Sequence, residues 1–312
     1  MMQRDEGAML MAWLSYYGRL FGFEHLTVFD NGSCDPLTLH LLAQAERCGV
    51  TVRRDRRDMD DFHAKGLHFA EQIRAWDREG GYDFALPVDC DEFIAVVDDN
   101  GLSTSVSRIM SEFNRLRGER RAFRIGTSLF NLPSRPGWFA VDTDFIKGFL
   151  PARSIASMDN GHHNPTSSLA SGFALSRFTY LHWHNRDFAQ MQQRARLKLS
   201  SPLLDPDDRP SLLRYASTPN LPGRHLVDLL LEDEAHYLTR YDGMLQAYMP
   251  WAASPSAVPI HVENGPVLLR DARGAKPWSS ADYPGAQRDI EPWPLGPLLH
   301  YFLHGWAEGR RF

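Results

Sequence analysis

Cysteine is scarce in this sequence, which has only Cys34, Cys48 and Cys90 among 312 residues. An odd number of cysteines without the paired spacing of a zinc site argues against a disulfide framework and against a structural metal cluster. Disulfides persist mainly in oxidising compartments, so a chain with so few cysteines is typical of a reducing one. We therefore expect a cytoplasmic protein.

Long hydrophobic runs are also missing, since no apolar segment approaches the roughly 20 residues that span a bilayer. The first six residues, MMQRDE, are not followed by the apolar core of a signal peptide. Positive charge is not in excess either, because 34 Lys and Arg residues face 39 Asp and Glu residues for a net charge of -5. With no global positive field to attract a phosphate backbone, nucleic acid is not an expected partner.

The composition, with 43% hydrophobic and 23% charged residues, is typical of a globular protein. A chain of 312 residues is long enough for about two domains. A segment rich in proline and aspartate at 201–208 predicts a boundary between them. We expect a catalytic domain over residues 1–200 and a mostly helical C-terminal extension with a short tail over residues 201–312.

Helical and strand patterns alternate along the first part of the chain. Helices are predicted where apolar residues recur every three or four positions, at 6–21, 36–48, 64–79 and 104–116. Strands are predicted for the short β-rich runs at 25–29, 50–52, 84–88 and 122–125. This alternation predicts an α/β fold with a doubly wound, mainly parallel sheet flanked by helices. Residues without such a pattern, at 133–180, are expected to form an irregular wall, and further helices are expected at 188–199 and 226–248.

Two polar clusters follow predicted strands, where an open parallel sheet binds its ligands. The first is Asp30-Asn31-Gly32-Ser33, in which Asp30 can accept a hydrogen bond from a base or a ribose. The alternative for this cluster is an Asx turn that leads into a helix cap.

The second cluster is Asp89-Cys90-Asp91-Glu92-Phe93. Residues two apart in an extended segment point to the same side, so Asp89 and Asp91 are expected to face one ligand. Neighbouring carboxylates repel unless a cation relieves them, and hard oxygen ligands suit Mg²⁺ or Mn²⁺. The alternative is a pair of solvated or helix-capping acids.

Three sequence blocks together carry a family resemblance. In order and spacing, RDEG at 4–7, FDNGS at 29–33 and DCDEF at 89–93 resemble the K-N-E-G, F-D-N-G-S and D-x-D-E-F blocks of GT-A glycosyltransferases, nearest to the family 2-like and family 92 branch. The resemblance extends more loosely to about residue 200, through Lys147, GHH at 161–163 and LHWH at 181–184. The chain departs from the pattern at Arg4-Asp5 and in having only Met1–Gln3 where the family has a full apolar strand.

The resemblance implies a GT-A-like fold and a metal-dependent, inverting glycosyltransferase of the hexosyltransferase type. Its donor would be a nucleotide-diphosphate sugar, expected to be a UDP-sugar, and its acceptor a glycan or a lipid-linked molecule. Mn²⁺ or Mg²⁺ is implied at Asp89, Asp91, His163 and His182, although each histidine also fits a structural role. The donor is implied to contact Glu6, Asp30, Asn31, Lys65, Lys147 and Asp89.

The general base is expected to be Asp159 or Glu92, although Asp159 also fits a loop cap and Glu92 also fits a residue that orients the metal pair. The terminal segment HYFLHGWAEGRR at 300–311 resembles a tail element of bacterial surface-polysaccharide glycosyltransferases. This resemblance favours a role in bacterial polysaccharide synthesis. Because acceptors in such synthesis are often lipid-linked, peripheral attachment to the inner membrane and partners in glycan assembly are further expectations. Two alternatives remain: a noncatalytic carbohydrate- or nucleotide-binding protein with a degenerate GT-A fold, and a Mg²⁺-dependent phosphohydrolase.

Overall fold

The computed structural model describes residues 1–99, 101–199, 205–218, 223–258, 265–283 and 293–312. The α-helices in these residues are α1 (Ala8–Phe21), α2 (Pro36–Arg47), α3 (Met59–His63), α4 (Lys65–Glu79), α5 (Val106–Leu116), α6 (Phe188–Lys198), α7 (Arg209–Ser217), α8 (Arg224–Leu231), α9 (Glu234–Thr239) and α10 (Pro297–His300). None of the described helices is both long and apolar enough to cross a membrane.

The strands are short and numerous. In chain order they are β1 (Met2–Gln3), β2 (Thr27–Asp30), β3 (Thr51–Arg53), β4 (Phe84–Ala85), β5 (Glu92–Val97), β6 (Gly101–Ser103), β7 (Ala122–Ile125), β8 (Ser128–Asn131), β9 (Trp138–Asp142), β10 (Lys147–Pro151), β11 (Ile155–Ser157), β12 (Thr166–Ser167), β13 (Phe173–Leu175), β14 (Phe178–His182), β15 (Gln246–Tyr248), β16 (Gly265–Pro266), β17 (Leu268–Asp271) and β18 (Gly274–Pro277).

The first part of the chain follows its local sequence signals. Helix α2 begins after Asp35, whose side chain accepts a hydrogen bond from the backbone N–H of Thr38 at 2.8 Å, and Pro36 opens the helix. Strands β1, β2 and β3 pair in parallel in that order. The predicted alternation of strand and helix therefore forms a small parallel sheet, in which the short β1 lies at one edge.

The expected doubly wound, mainly parallel sheet is wrong for the molecule as a whole. Its largest sheet has the strand order β16-β6-β5-β14-β8-β9-β15-β17-β18 and curls into a half-barrel. Every neighbouring pair in it is antiparallel except β14 with β8. Parallel pairs need long crossover connections, whereas antiparallel pairs do not, and the chain beyond β5 has few helices between its strands.

Two local predictions fail for the same reason. The segment 133–180, expected to be irregular, contains the five strands β9 to β13 and the start of β14. The single helix expected at 226–248 is instead α8, α9 and β15, and β15 pairs with β9, so the C-terminal part of the chain contributes strands to the large sheet in addition to its helices. An apolar pattern reports which residues are buried, but it does not report the strand with which they pair. Of the linker predicted at 201–208, residues 201–204 lie outside the described residues.

A second mixed sheet, with strand order β13-β7-β10-β4, packs its aromatic residues into the core. The ring of Phe149 on β10 stacks on Phe123 of β7 with the centroids 4.6 Å apart, and it also contacts Phe113 and Phe178. All four side chains are buried. This aromatic cluster joins helix α5 to both sheets.

Phe149→Ala is expected to lower the free energy of unfolding by about 3–5 kcal/mol, because it leaves a cavity among buried rings. Urea denaturation followed by circular dichroism measures the change. Leu67→Ala is the control, since Leu67 is 63% exposed and its truncation is expected to change stability by no more than about 0.5 kcal/mol. Equal losses in the two variants would contradict this account of the core.

Candidate functional site

The pairing of β5 with β14 builds one end of the candidate site. In this antiparallel pair, Glu92 at the start of β5 lies opposite His182 at the end of β14. The backbone N–H of Trp183 continues the ladder by donating to the carbonyl oxygen of Asp91 at 2.8 Å. Asp91 is thereby brought beside His182 and His184, residues that are far from it in the sequence.

Asp91, His182 and His184 form a cluster that we call the triad. The Nε2 atom of His182 lies 3.6 Å from Oδ1 of Asp91, and the Nδ1 atom of His184 lies 3.7 Å from Oδ2. One ligand atom from each residue lies within 4.8 Å of the other two, so the three atoms are close enough to hold one metal ion. The His182 side chain is 3% exposed, but Asp91 and His184 are 23% and 43% exposed, so the triad opens to solvent.

The chemistry of the triad fits a transition metal. Two imidazoles with one carboxylate suit ions such as Mn²⁺, Fe²⁺ or Zn²⁺, whereas Mg²⁺ prefers oxygen ligands. Burial disfavours the charged form of Asp91, but the two histidines outweigh it and hold its pKa well below the usual range. Burial lowers the pKa of His182, and the charge of Asp91 more than offsets this and raises it. The fold thus stabilises negative charge on Asp91, as a metal ligand requires.

Asp89 lies in a different environment from Asp91. Its carboxylate is held by two lysines, with Lys65 Nζ 2.7 Å from Oδ1 and Lys147 Nζ 2.9 Å from Oδ2. Burial disfavours the charged form of Asp89, but Lys147 and Lys65 outweigh it and hold its pKa well below the usual range. The backbone N–H of Glu92 donates to the carbonyl oxygen of Asp89 at 3.2 Å, so residues 89–92 form a turn. The two carboxylates, expected to face one ligand, therefore have separate partners.

Glu92 is completely buried and contacts both Lys147 and the backbone of Asp89. Its Oε1 lies 3.0 Å from Lys147 Nζ, and its Oε2 accepts the backbone N–H of Asp89 at 2.8 Å. Burial disfavours the charged form of Lys147, but Asp89 and Glu92 outweigh it and raise its pKa. With 0% exposure, the Glu92 side chain is placed to orient Asp89 and Lys147 and does not reach solvent.

Three further cations lie beside the triad. Arg186 and Arg194 both bind Glu6, with Arg186 2.6 Å from its Oε2. Arg194 also interacts electrostatically with Asp91. Lys198 and Lys65 both lie near the Phe62 ring, with Nζ at 5.8 and 5.6 Å from its centroid. We call this set the charged cleft; it consists of the triad with Glu6, Lys65, Asp89, Glu92, Lys147, Arg186, Arg194 and Lys198.

Asp30 and Asn31 make structural hydrogen bonds. Oδ1 of Asp30 accepts from Gln3 at 3.0 Å and from the hydroxyl of Ser33 at 2.5 Å. The side chain of Asn31 donates to the carbonyl oxygens of Arg56 and Asp58. Both residues are buried. They fix the turn after β2, while their predicted contact with a donor remains a prediction.

Asp159 caps its own loop, and the same loop holds His163 away from the triad. The carboxylate of Asp159 accepts the backbone N–H groups of Gly161, His163 and Asn164 at 3.1, 3.1 and 2.6 Å. Burial disfavours the charged form, but the N–H groups of Asn164 and His163 outweigh it and lower the pKa of Asp159. His163 Nδ1 lies 2.5 Å from the carbonyl oxygen of Ile146. Of the four predicted metal ligands, Asp91 and His182 therefore lie together, whereas Asp89 and His163 contact other partners.

The loop reaches this position by a close approach to helix α4. A Cβ atom at Gly66 would lie 2.7 Å from the carbonyl carbon of Asp159, so a larger residue would push the loop away. The N–H of Gly66 also donates to Asn160 at 3.1 Å. This contact places the loop next to Lys65, at the start of α4.

Sequence reasoning did not select His184, Arg194 or Lys198. His184 carried a usable signal, because two histidines separated by one residue at a strand end project to the same side. Arg194 and Lys198 are one helical turn apart on α6, which places both on the face toward the charged cleft. That spacing is common on solvated helices, so it gave no signal of its own.

Comparison with known proteins adds no assignment. No protein-family model matches the chain, and no curated protein matches it with significance. The function must therefore be inferred from the chemistry of the site.

Lys147→Met is expected to lower the free energy of unfolding by about 3–5 kcal/mol, because it leaves the buried Glu92 without its counter-charge. Lys65→Met is the matched control, since Asp89 is 24% exposed and keeps Lys147 as a partner. Urea denaturation measures both. The double variant Lys147→Met/Glu92→Gln should regain much of the loss, and a double variant no more stable than the single one would contradict the ion-pair account.

Proposed function

We propose that the chain is a metal-dependent glycosyltransferase that transfers a sugar from a nucleotide-diphosphate sugar to a glycan or lipid-linked acceptor. The observation that carries the proposal is a triad with the spacing of a metal site, open to solvent and next to a cluster of lysines and arginines. UDP-sugar is the proposed donor, and bacterial surface-polysaccharide synthesis in the cytoplasm, peripheral to the inner membrane, is the proposed setting. The sequence blocks that resemble glycosyltransferases contribute Glu6, Asp89 and Asp91 to this cleft.

The charge of the cleft supports a diphosphate ligand. With its histidines neutral, the charged cleft holds five cations and four carboxylates. Its formal charge is therefore +1, and a divalent ion at the triad would raise that charge to +3. A diphosphate is a compact anion, and a small neutral ligand would leave that charge uncompensated. The cleft is therefore better suited to a nucleotide-diphosphate sugar than to a free sugar.

The chain's own residues have separable tasks in the proposed reaction. Asp91, His182 and His184 would hold the ion, which when bound would stabilise negative charge on the leaving diphosphate. Asp89 and Glu92 keep Lys65 and Lys147 in place, and Glu6 does the same for Arg186 and Arg194. Cations fixed before the substrate arrives stabilise developing charge without a cost of reorganisation. Asp159 and Glu92 stay predictions for the general base, although their observed contacts favour roles in holding the structure.

A second candidate function follows from the donor set itself. Two histidines and one carboxylate with open positions also occur in non-haem Fe²⁺ oxygenases. The lysines and arginines around the triad favour the transferase, since an oxygenase needs no such cluster. Consumption of dioxygen by the Fe²⁺-loaded protein would support the oxygenase. Binding of metal and nucleotide without turnover of any donor would support the noncatalytic alternative.

The wild-type protein is expected to bind Mn²⁺ and, in its presence, a nucleoside diphosphate, as measured by isothermal titration calorimetry. Asp91→Asn should weaken Mn²⁺ binding by at least 10- to 100-fold, the range seen when even a supporting residue of a metal site is lost. Asp207→Asn makes the same chemical change at a side chain that is 76% exposed, and should bind Mn²⁺ normally.

Donor turnover is then measured with UDP-sugars and other nucleotide sugars, as release of the nucleoside diphosphate. The proposal requires turnover that depends on the metal and is lost in Asp91→Asn. Circular dichroism must show that this variant is folded. Full turnover by a folded Asp91→Asn variant would refute the assignment of the triad.

A further inference from the structure

A second cleft lies apart from the charged cleft and shares no lining residue with it. It is an open cleft with a volume of about 830 Å³, and ligand pockets in proteins have roughly 300–1,000 Å³. Four arginines lie along one side, and the other walls are largely apolar. We call it the arginine cleft; its lining is Arg115, Leu116, Arg117, Gly118, Glu119, Arg120, Arg121, Ala170, Phe173, Ala174, Leu175, Trp293, Pro294 and Leu295.

The arginines lie in the last turn of α5 and in the short connection from α5 to β7. Arg115, Arg117 and Arg121 form ion pairs with Glu112, Asp83 and Glu119 at 2.7, 2.7 and 2.6 Å. Arg120 forms no ion pair among the described residues. The pair of Arg117 with Asp83 is exposed on both sides and contributes little to stability, so a stronger anion can displace Asp83. Arg115 is instead held by the buried Glu112. A guanidinium group also binds a phosphate through two parallel hydrogen bonds.

Three buried N–H groups next to the cleft have no hydrogen-bond acceptor within the described parts of the chain. They are Nε of Arg124, Nε of Arg177 and Nε1 of Trp293. The Arg124 guanidinium lies 4.3 Å from the centroid of Phe173, and Arg177 donates to the carbonyl oxygen of Pro294 at 3.1 Å. Each of these atoms has almost no exposed surface, so the three N–H groups lie behind the cleft wall and are not counted among the groups that contact a ligand.

The apolar side of the cleft distinguishes it from a simple anion site. Phe173, Trp293 and Leu295 form its walls. Leu175 in the wall is 38% exposed, and Leu169 beside it is 40% exposed. Large apolar side chains left exposed next to a binding surface favour an apolar group on the partner.

We propose that the arginine cleft binds a phosphate-bearing amphiphile, in which a phosphate monoester is attached to an aliphatic chain. The arginines bind the phosphate, and Phe173, Leu175 and Trp293 contact the aliphatic part. Such a ligand is either a lipid in an anionic membrane or a soluble molecule of the same chemistry. Nucleic acid is a poorer match because its phosphates carry no aliphatic chain.

The test measures co-sedimentation of the full chain with phosphatidylcholine vesicles and with vesicles that also contain phosphatidic acid. Binding is expected only to the second kind and is expected to weaken with added salt. The double variant Arg117→Ala/Arg120→Ala should bind roughly 25-fold more weakly, about fivefold for each arginine. Arg47→Ala/Arg78→Ala removes the same charge from exposed positions elsewhere and should bind normally. Leu175→Asn should also weaken binding, since it removes an apolar contact.

A titration with monomeric dihexanoyl phosphatidic acid separates the two sources of the ligand. Binding of this monomer supports a soluble amphiphile in the cleft, and binding to vesicles alone supports a membrane lipid. Unchanged binding by Arg117→Ala/Arg120→Ala overturns the proposal. It is also overturned if inorganic phosphate binds as tightly as the amphiphile, or if an RNA oligomer binds more tightly than the vesicles. None of these outcomes depends on donor turnover at the triad. The amphiphile proposal and the glycosyltransferase proposal are therefore tested independently.

Discussion

The antiparallel pairing of β5 with β14 is the constraint on which the candidate site depends. Its register places Glu92 opposite His182, and the next step of the ladder fixes the backbone of Asp91 beside Trp183. A shift by one residue would turn His182 and His184 to the other face, because side chains alternate along a strand. The geometry of the triad is therefore a consequence of strand register, which the buried side chains of both strands hold in place.

Buried ion pairs fix the positions of the charged groups beside the triad. Lys147 is almost fully buried between Asp89 and Glu92, and each of these groups would be costly to bury without the others. This mutual dependence fixes the position of Asp89 and, through it, of Lys65. Cations held by buried partners have fixed positions, as the proposed binding of an anionic substrate requires. The same feature links stability to function, since the groups that balance charge inside the fold also shape the cleft.

The two clefts differ in the way that their cations are held. In the charged cleft, lysines and arginines are partly buried and bound to carboxylates that belong to the fold. In the arginine cleft, the arginines are more exposed, and of their acidic partners Asp83 is exposed, Glu119 is partly buried and Glu112 is buried. The first arrangement suits precise placement of a reacting diphosphate, and the second suits a ligand recognised by charge and apolar contact. The proposed roles in catalysis and in amphiphile binding follow from this difference.

Local sequence determined part of this protein. Periodicity and caps place α1, α2, α4 and α6 within about two residues of their predicted bounds, because a helix depends on residues close in sequence. The sequence pattern also predicted Asp89 and Asp91 as candidate metal ligands. Only the tertiary structure decided the curled antiparallel sheet, the separation of Asp89 from Asp91, and the choice of His184 over His163 as neighbour of Asp91. Those outcomes depend on strand pairing and ion pairs between residues far apart in sequence, and a local pattern does not contain that information.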